Sequence, residues 1–185
     1  MKPFLRFLLW AALLCSPPLL PATIMVPLSI TNLTTRADLI LRGTVASKTC
    51  LKDSEGRIYT KIELKVSEAW KGTLTTNLFQ IVHGGGTVGD ERTVVDGEAI
   101  YEVGEEIVCF LRLNQRGEGV SIGLAQGKFQ VWNDDSTGEQ FAHNLFHGQP
   151  KSDKSAPQTK FGVPPGKPTR LRLAELHSLV TGGGQ

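Results

Sequence analysis

The sequence predicts a mostly-β fold, an antiparallel β-barrel with short flanking helices, with a β-sandwich as the alternative. Two observations carry this. One segment, Ile58 to Val66, alternates strictly, with Ile58, Thr60, Ile62, Leu64 and Val66 separated by Tyr59, Lys61, Glu63 and Lys65. Period two places the first set on one face, so one side of this strand meets a core and the other meets water. Further short apolar segments recur along the chain, separated by turn signals about every ten residues, the spacing of small barrels and sandwiches.

In chain order, Ser29 to Ala37 reads as a short helix capped by Ser29. From Asp38 the pattern becomes strand: Leu39, Leu41 and Val45 recur at even spacing, and Gly43 marks a bulge or close approach. Lys52-Asp53-Ser54-Glu55-Gly56 is a turn, and the alternating strand that follows ends at Ala69-Trp70-Lys71-Gly72. Leu78 to His83 is the next strand, and Gly84-Gly85-Gly86 follows it. Asp96-Gly97 predicts a type I′ turn joining strands Glu91–Val95 and Glu98–Tyr101. Ile107 to Leu111 is apolar on both faces, which predicts a central strand covered on both sides. Gln115 to Gly119 is a turn, and Val120–Leu124 with Lys128–Trp132 reads as a hairpin around Ala125-Gln126-Gly127. Residues 147–170, rich in Pro, Lys, Ser and Gly, read as a flexible linker or loop. Residues 171–181 read as a helix capped by Thr169, halted by Gly182-Gly183-Gly184, and docking back on the barrel.

Residues 1–22 read as a signal peptide: Lys2 and Arg6 form a basic start, Phe4 to Leu14 an apolar stretch, and Leu20-Pro21-Ala22 a cleavage site. The apolar stretch is shorter than the roughly 20 residues of a membrane span, so membrane contact is expected only through an uncleaved leader. The barrel domain is then residues 23–146. The formal charge of +2 falls to zero once Lys2 and Arg6 are removed. Six basic residues between Lys151 and Gln185 leave the folded body net acidic, which argues against nucleic acid as a partner. In an oxidising compartment Cys50 and Cys109 are expected to pair. Closing that loop would add about 3–4 kcal/mol in the chain-entropy model.

Candidate chemistry is sparse. His83-Gly84-Gly85-Gly86 matches an esterase oxyanion loop, Gly119-Val120-Ser121-Ile122-Gly123 a nucleophile elbow, and Asp134, Asp135, His143 and His147 follow in the expected order. That elbow needs a strand, a strained turn and a helix above a parallel sheet, whereas Ser121 falls in a β-hairpin. His143 and His147, spaced four apart, would share a helix face as metal ligands, but they border the linker and read more simply as solvated. Asp134 to Glu139 offers calcium-type oxygens at the wrong spacing and reads as a polar hairpin turn. Gly127-Lys128 lacks the rest of a phosphate loop, and Asn32-Leu33-Thr34 fits the glycosylation pattern.

The segment Ala37-Asp38-Leu39-Ile40-Leu41-Arg42-Gly43-Thr44-Val45 resembles the opening strand of tissue inhibitors of metalloproteinases and related netrin-like modules. Trp70-Lys71-Gly72 and Gly104-Glu105-Glu106-Ile107-Val108-Cys109-Phe110-Leu111 continue the likeness, which covers Ala37 to Leu113. It implies a five-stranded OB-type barrel with flanking helices. Those inhibitors hold the protease zinc through an amino-terminal cysteine, and here no cysteine lies between Thr23 and Cys50. Similar barrels also occur in secreted bacterial proteins.

The expected function is therefore a secreted or periplasmic binding module without catalytic activity, metal or cofactor, contacting another secreted or envelope protein through barrel loops. The candidate binding loop is His83, Gly84, Gly85, Gly86, Thr87, Val88, Gly89 and Asp90, because loops on rigid scaffolds carry recognition. The alternatives are a peptidase inhibitor on the same barrel and a small esterase using Ser121.

Overall fold

The computed structural model describes residues 25–148 and 170–182. The expected leader (1–22), most of the linker and the Thr169 cap lie outside the described residues.

Helix α1 (Ile30–Arg36) starts where expected: the Ser29 hydroxyl accepts the Asn32 N–H at 3.1 Å, satisfying a donor that the first turn leaves free. Leu33 is its one buried residue. Strand β1 (Leu39–Lys52) pairs along its whole length with β2 (Ile58–Lys71). Register shifts near Leu41, Gly43 and Val45 bend it, so that its first half also pairs with β6 (Glu106–Leu113). Gly43 is required at this bend: a Cβ there would lie 2.3 Å from the Lys65 carbonyl oxygen.

The remaining strands are β3 (Leu78–Gly84), β4 (Gly86–Val88), β5 (Glu91–Thr93), β7 (Gly119–Ser121), β8 (Lys128–Asn133), β9 (Gln140–His143) and β10 (Leu171–Arg172). The pairings β1–β2, β2–β3, β3–β7, β7–β6 and β6–β1 close on themselves, a five-stranded barrel with two short helices. The barrel is mixed rather than wholly antiparallel. Its β3–β7 seam is parallel and consists of one bridge, Ile81 to Gly119.

β6 explains the architecture. Ile107, Cys109 and Leu111 face the barrel interior with Leu39, Leu41, Val45, Ile62, Leu64 and Ile81. Val108 and Phe110 face outward into a second core. That core gathers Leu33 of α1, Phe129 and Val131 of β8, Ala142 of β9, and Leu173, Leu176 and Val180 of α2 (Leu173–Thr181). Residues Ile107 to Leu111 have no exposed surface, as the doubly apolar run predicted. Each large side chain so buried contributes about 1.5–3 kcal/mol.

Several local expectations are corrected. Asp96-Gly97 does not turn a hairpin. The short hairpin forms earlier, at Gly89-Asp90 between β4 and β5, and residues 94–105 run irregularly with Ala99 and Tyr101 inserted into the barrel core. The local turn at Asp96-Gly97 still forms, with Glu98 N–H on Val95 O at 3.3 Å, but burial of Tyr101 takes the chain beyond it away from a paired strand. Val120–Leu124 and Lys128–Trp132 do not pair with each other; β7 and β8 each pair with β6, separated by a 3₁₀ turn at Leu124–Gly127. Leu171-Arg172 extend as β10 against β9, so α2 begins at Leu173 without a side-chain cap.

The expected disulfide is absent, and both thiols are free. Cys109 faces Leu41 in the β1–β6 ladder, while Cys50 lies nine residues further along β1, opposite Thr60. At about 3.3 Å per residue that separation far exceeds the Cα spacing a disulfide spans.

Candidate functional site

The segment His83–Asp90 leaves the barrel at the end of β3 and folds back as the β4–β5 hairpin, not as a loose glycine loop. Gly85 (φ 83°) and Gly86 (φ 137°) occupy backbone conformations that L side chains rarely adopt. Gly86 also passes over β1 and β2 so closely that a Cβ would meet the Thr60 hydroxyl at 2.7 Å and the Cys50 sulfur at 2.8 Å. The hairpin base is tied down: Gly85 N–H donates to Ile58 O at 3.0 Å, and the Thr60 hydroxyl donates to Gly85 O at 2.7 Å. Lys52 pairs with Glu91 at 2.6 Å on the opposite strand of the hairpin. Cys50 Sγ lies 3.5 Å from the Thr60 side chain, which together with the Thr87 N–H holds the thiol pKa below its ordinary value. His83 stacks on Tyr101 at 5.7 Å between ring centroids, and its Nδ1 lies 2.8 Å from Gly84 O.

Beside this hairpin lies an open groove of about 590 Å³. Its apolar lining includes Ile58 and Tyr59 of β2, Val82 of β3, Val95 beyond β5, and Val120 of β7. Val95 and Val120 are each 39% exposed, and Val82 is 7% exposed. The β1–β2 turn closes one side with Asp53 and Arg57, and the β6–β7 turn contributes Arg116. Of the candidate loop, His83, Gly84 and Gly85 lie in this lining. Thr87, Val88, Gly89 and Asp90 belong to the hairpin but not to the groove wall.

The rim charges are satisfied internally. Arg57 contacts Asp53 at 2.8 Å and Glu55 at 3.1 Å, and Arg116 contacts Glu118 at 2.7 Å. Hydrogen bonds from Arg57 hold the Asp53 carboxyl below its ordinary pKa; Asn114 foremost, with Arg116, does the same for Glu118. The groove thus presents apolar surface ringed by paired charges.

The other candidate residues are occupied elsewhere. Ser121 is 8% exposed and donates its hydroxyl to Leu124 O at 3.0 Å. Asp134 bonds the Ser136 N–H in its own turn and pairs with Arg170 at 2.8 Å. His147 Nε2 lies 2.8 Å from Leu28 O and its ring stacks on Phe129. His143 sits on β9, where burial lowers its pKa, and its Nδ1 is buried without a partner. The two histidines therefore do not share a helix face. Among the described residues, no cluster of three or more metal-ligating side chains forms. Asp134 to Glu139 is the polar hairpin turn expected, closed by Asp134 N–H on Glu139 O at 2.9 Å.

Sequence reading missed the groove's remaining walls. Outward-facing Tyr59 was legible from the alternation of β2, but nothing in the sequence shows that Val82, Val95 and Val120, far apart in the chain, come together. The chain matches no protein-family model, and it matches no curated protein by sequence.

Proposed function

We propose that this protein is a non-catalytic binding module of the secreted or envelope compartment, and that it binds a partner protein in the groove on the β2–β3 face. The observation that carries the reading is the convergence of the β1–β2 turn, the β3–β5 segment and the β6–β7 turn around one apolar surface. In OB-type barrels, which close by the same strand order, the face of the second and third strands and its flanking loops receive ligands. That order, with helices packed on the outside, also supports the resemblance to netrin-like modules. The paired rim favours an uncharged ligand surface over a polyanion, which would need free cations along its path.

Crosslinked capture from envelope and culture-fluid extracts, with the purified protein as bait, tests this. One partner retained by the native protein and lost with Val120→Asp supports the groove as the contact. A partner retained equally by Val120→Asp moves the contact elsewhere. If the partner is a peptidase that the protein inhibits, the inhibitor reading replaces a simple adaptor role.

A further inference from the structure

The irregular segment 94–105 is a strap fastened along its length, with Ala99 and Tyr101 set into the barrel core. Val95 O accepts the Glu98 N–H at 3.3 Å, and Gly97 O accepts the Ala125 N–H at 2.9 Å. Lys128 donates to the Ile100 carbonyl and Lys48 to the Tyr101 carbonyl at 2.8 Å, while Gly104 N–H donates to Val45 O at 2.9 Å. Met25 lies against Gly97, so the first described residues run beside the strap. The Gln126 amide fixes them there, donating to Val26 O at 3.1 Å and accepting the Leu28 N–H at 2.7 Å.

What this fastened backbone presents outward is apolar. Ala99 and Tyr101 point inward, which turns Ile100 out, and Ile100 is 73% exposed. Val26 is 71%, Val94 66% and Val103 62% exposed. These are the four most exposed large apolar side chains among the described residues, and all lie on the strap or on the segment beside it. The turn at Asp96-Gly97 holds Val95 and Glu98 within about 7 Å, which keeps Val94 and Ile100 near one another. Single exposed apolar residues are ordinary; a group of them on a pinned backbone marks a contact surface. A surface already ordered also loses little conformational freedom on binding.

Charge selects the occupant. Residues 94–105 hold four carboxylates and no basic residue. Lys48 meets Glu102 and Lys128 meets Glu105, whereas Asp96 and Glu98 pair with no cation among the described residues. The apolar face is therefore bordered by unmatched negative charge. A second copy docking through the same face would set these carboxylates against their own counterparts. An anionic membrane or a nucleic acid would be repelled in the same way. A protein surface with apolar side chains set among lysines and arginines complements both features.

We propose that the outward face of the strap docks a partner protein of that kind. Val26, Val94, Ile100 and Val103 supply the apolar contact, with Asp96 and Glu98 at its border. This surface is separate from the groove described above: Val95 adjoins both, but none of the four apolar contact residues lines the groove.

The test is a selection of random twelve-residue displayed peptides on the purified protein, followed by affinity measurements on three variants. Ile100→Ser removes the most exposed apolar group, Asp96→Lys/Glu98→Lys inverts the border, and Val120→Asp disables the groove. Expected are peptides combining apolar residues with Lys or Arg, weakened about tenfold or more by Ile100→Ser and by the charge inversion. Val120→Asp should leave their affinity unchanged. Replacing the basic residues of the peptide with Glu should restore binding to Asp96→Lys/Glu98→Lys, a rescue that a folding defect would not give.

Peptides lost with Val120→Asp but retained by Ile100→Ser overturn the strap surface and leave the groove as the contact. Enriched peptides without basic residues, or indifferent to the charge inversion, overturn the choice of partner. Failure to enrich any peptide that depends on Ile100 overturns the proposal outright. Dimerisation in sedimentation that Ile100→Ser abolishes overturns it in favour of a second copy of the chain.

Discussion

Lys128, at the start of β8, reaches Glu105 just before β6, its ammonium nitrogen 2.5 Å from the carboxylate, and the two side chains are only 11% and 10% exposed. The same ammonium donates to the Ile100 carbonyl and lies 5.1 Å from the Tyr101 ring centroid. One cation thus fastens the irregular segment that inserts Tyr101 into the barrel. Removing it leaves Glu105 with a buried, unpaired charge. Lys128→Ala is expected to cost about 3–5 kcal/mol in urea unfolding at neutral pH. The double variant Lys128→Met/Glu105→Gln should recover much of that loss, because it removes the stranded charge. A double variant no more stable than the single one would show that the clamp acts through Ile100 and Tyr101 instead.

The two cysteines should differ sharply in reactivity. Cys109 has no exposed surface, and burial pushes its pKa up to about 12; Cys50 is partly exposed, with its pKa lowered by Thr60 and the Thr87 N–H. Iodoacetamide should label Cys50 in the native protein and Cys109 only on unfolding, with no 50–109 crosslinked peptide in a non-reducing digest. Equal labelling rates would contradict the buried placement of Cys109.

Burial of Cys109 also sets an alkaline limit. The unfolded thiol ionises near pH 8.5–9, whereas the folded one resists ionisation until about pH 12. The unfolded state therefore binds fewer protons across that window, and stability falls as pH rises through it, by at most about 1.4 kcal/mol per pH unit from this group. Burial of Tyr101 raises its pKa and acts in the same direction. Cys109→Ala should flatten the slope of urea midpoint against pH above pH 9.

At the acid end the sign reverses. Burial, with Lys128 nearby, lowers the pKa of His143. Its contribution is present above the unfolded histidine pKa of about 6.5 and is lost as pH falls below it. His143→Leu should reduce the decline of the urea midpoint between pH 6.5 and the onset of carboxylate titration; an unchanged decline would assign it to other groups.

Two glycines of one hairpin should respond differently to the same substitution. Gly86→Ala would place a methyl group against Cys50 and Thr60 at a φ of 137°, whereas Gly89→Ala at φ 59° meets open space. The first is expected to cost several kcal/mol and to loosen the hairpin, the second about 1 kcal/mol. Melting temperatures of the two variants, with hydrogen exchange at Gly85 and Thr87, read both effects.

Much of the barrel was legible because its signals are local. Period two in β2, the doubly apolar β6, the Ser29 cap and the Gly43 approach each follow from side-chain chemistry within a few residues. The unusual backbone path at Gly85 and Gly86 was legible for a related reason: a glycine run after a strand marks it. Sequence reading failed where two local preferences competed with a distant one. The turn at Asp96-Gly97 does form, but the strands expected on either side of it do not pair, because Ala99 and Tyr101 are drawn into the barrel core. Cys50 and Cys109 looked like a pair only because the third cysteine, Cys15, falls in the expected leader.

By itself, then, the sequence determined which residues alternate, which are buried on both faces and where the chain must turn, because these depend on spacing along a strand. Tertiary structure alone decided that β7 meets β3 in parallel through one bridge, and that Val82, Val95 and Val120 line one groove. Those outcomes depend on barrel closure, where the bend of β1 and the packing of two cores select one pairing among many that are locally equivalent.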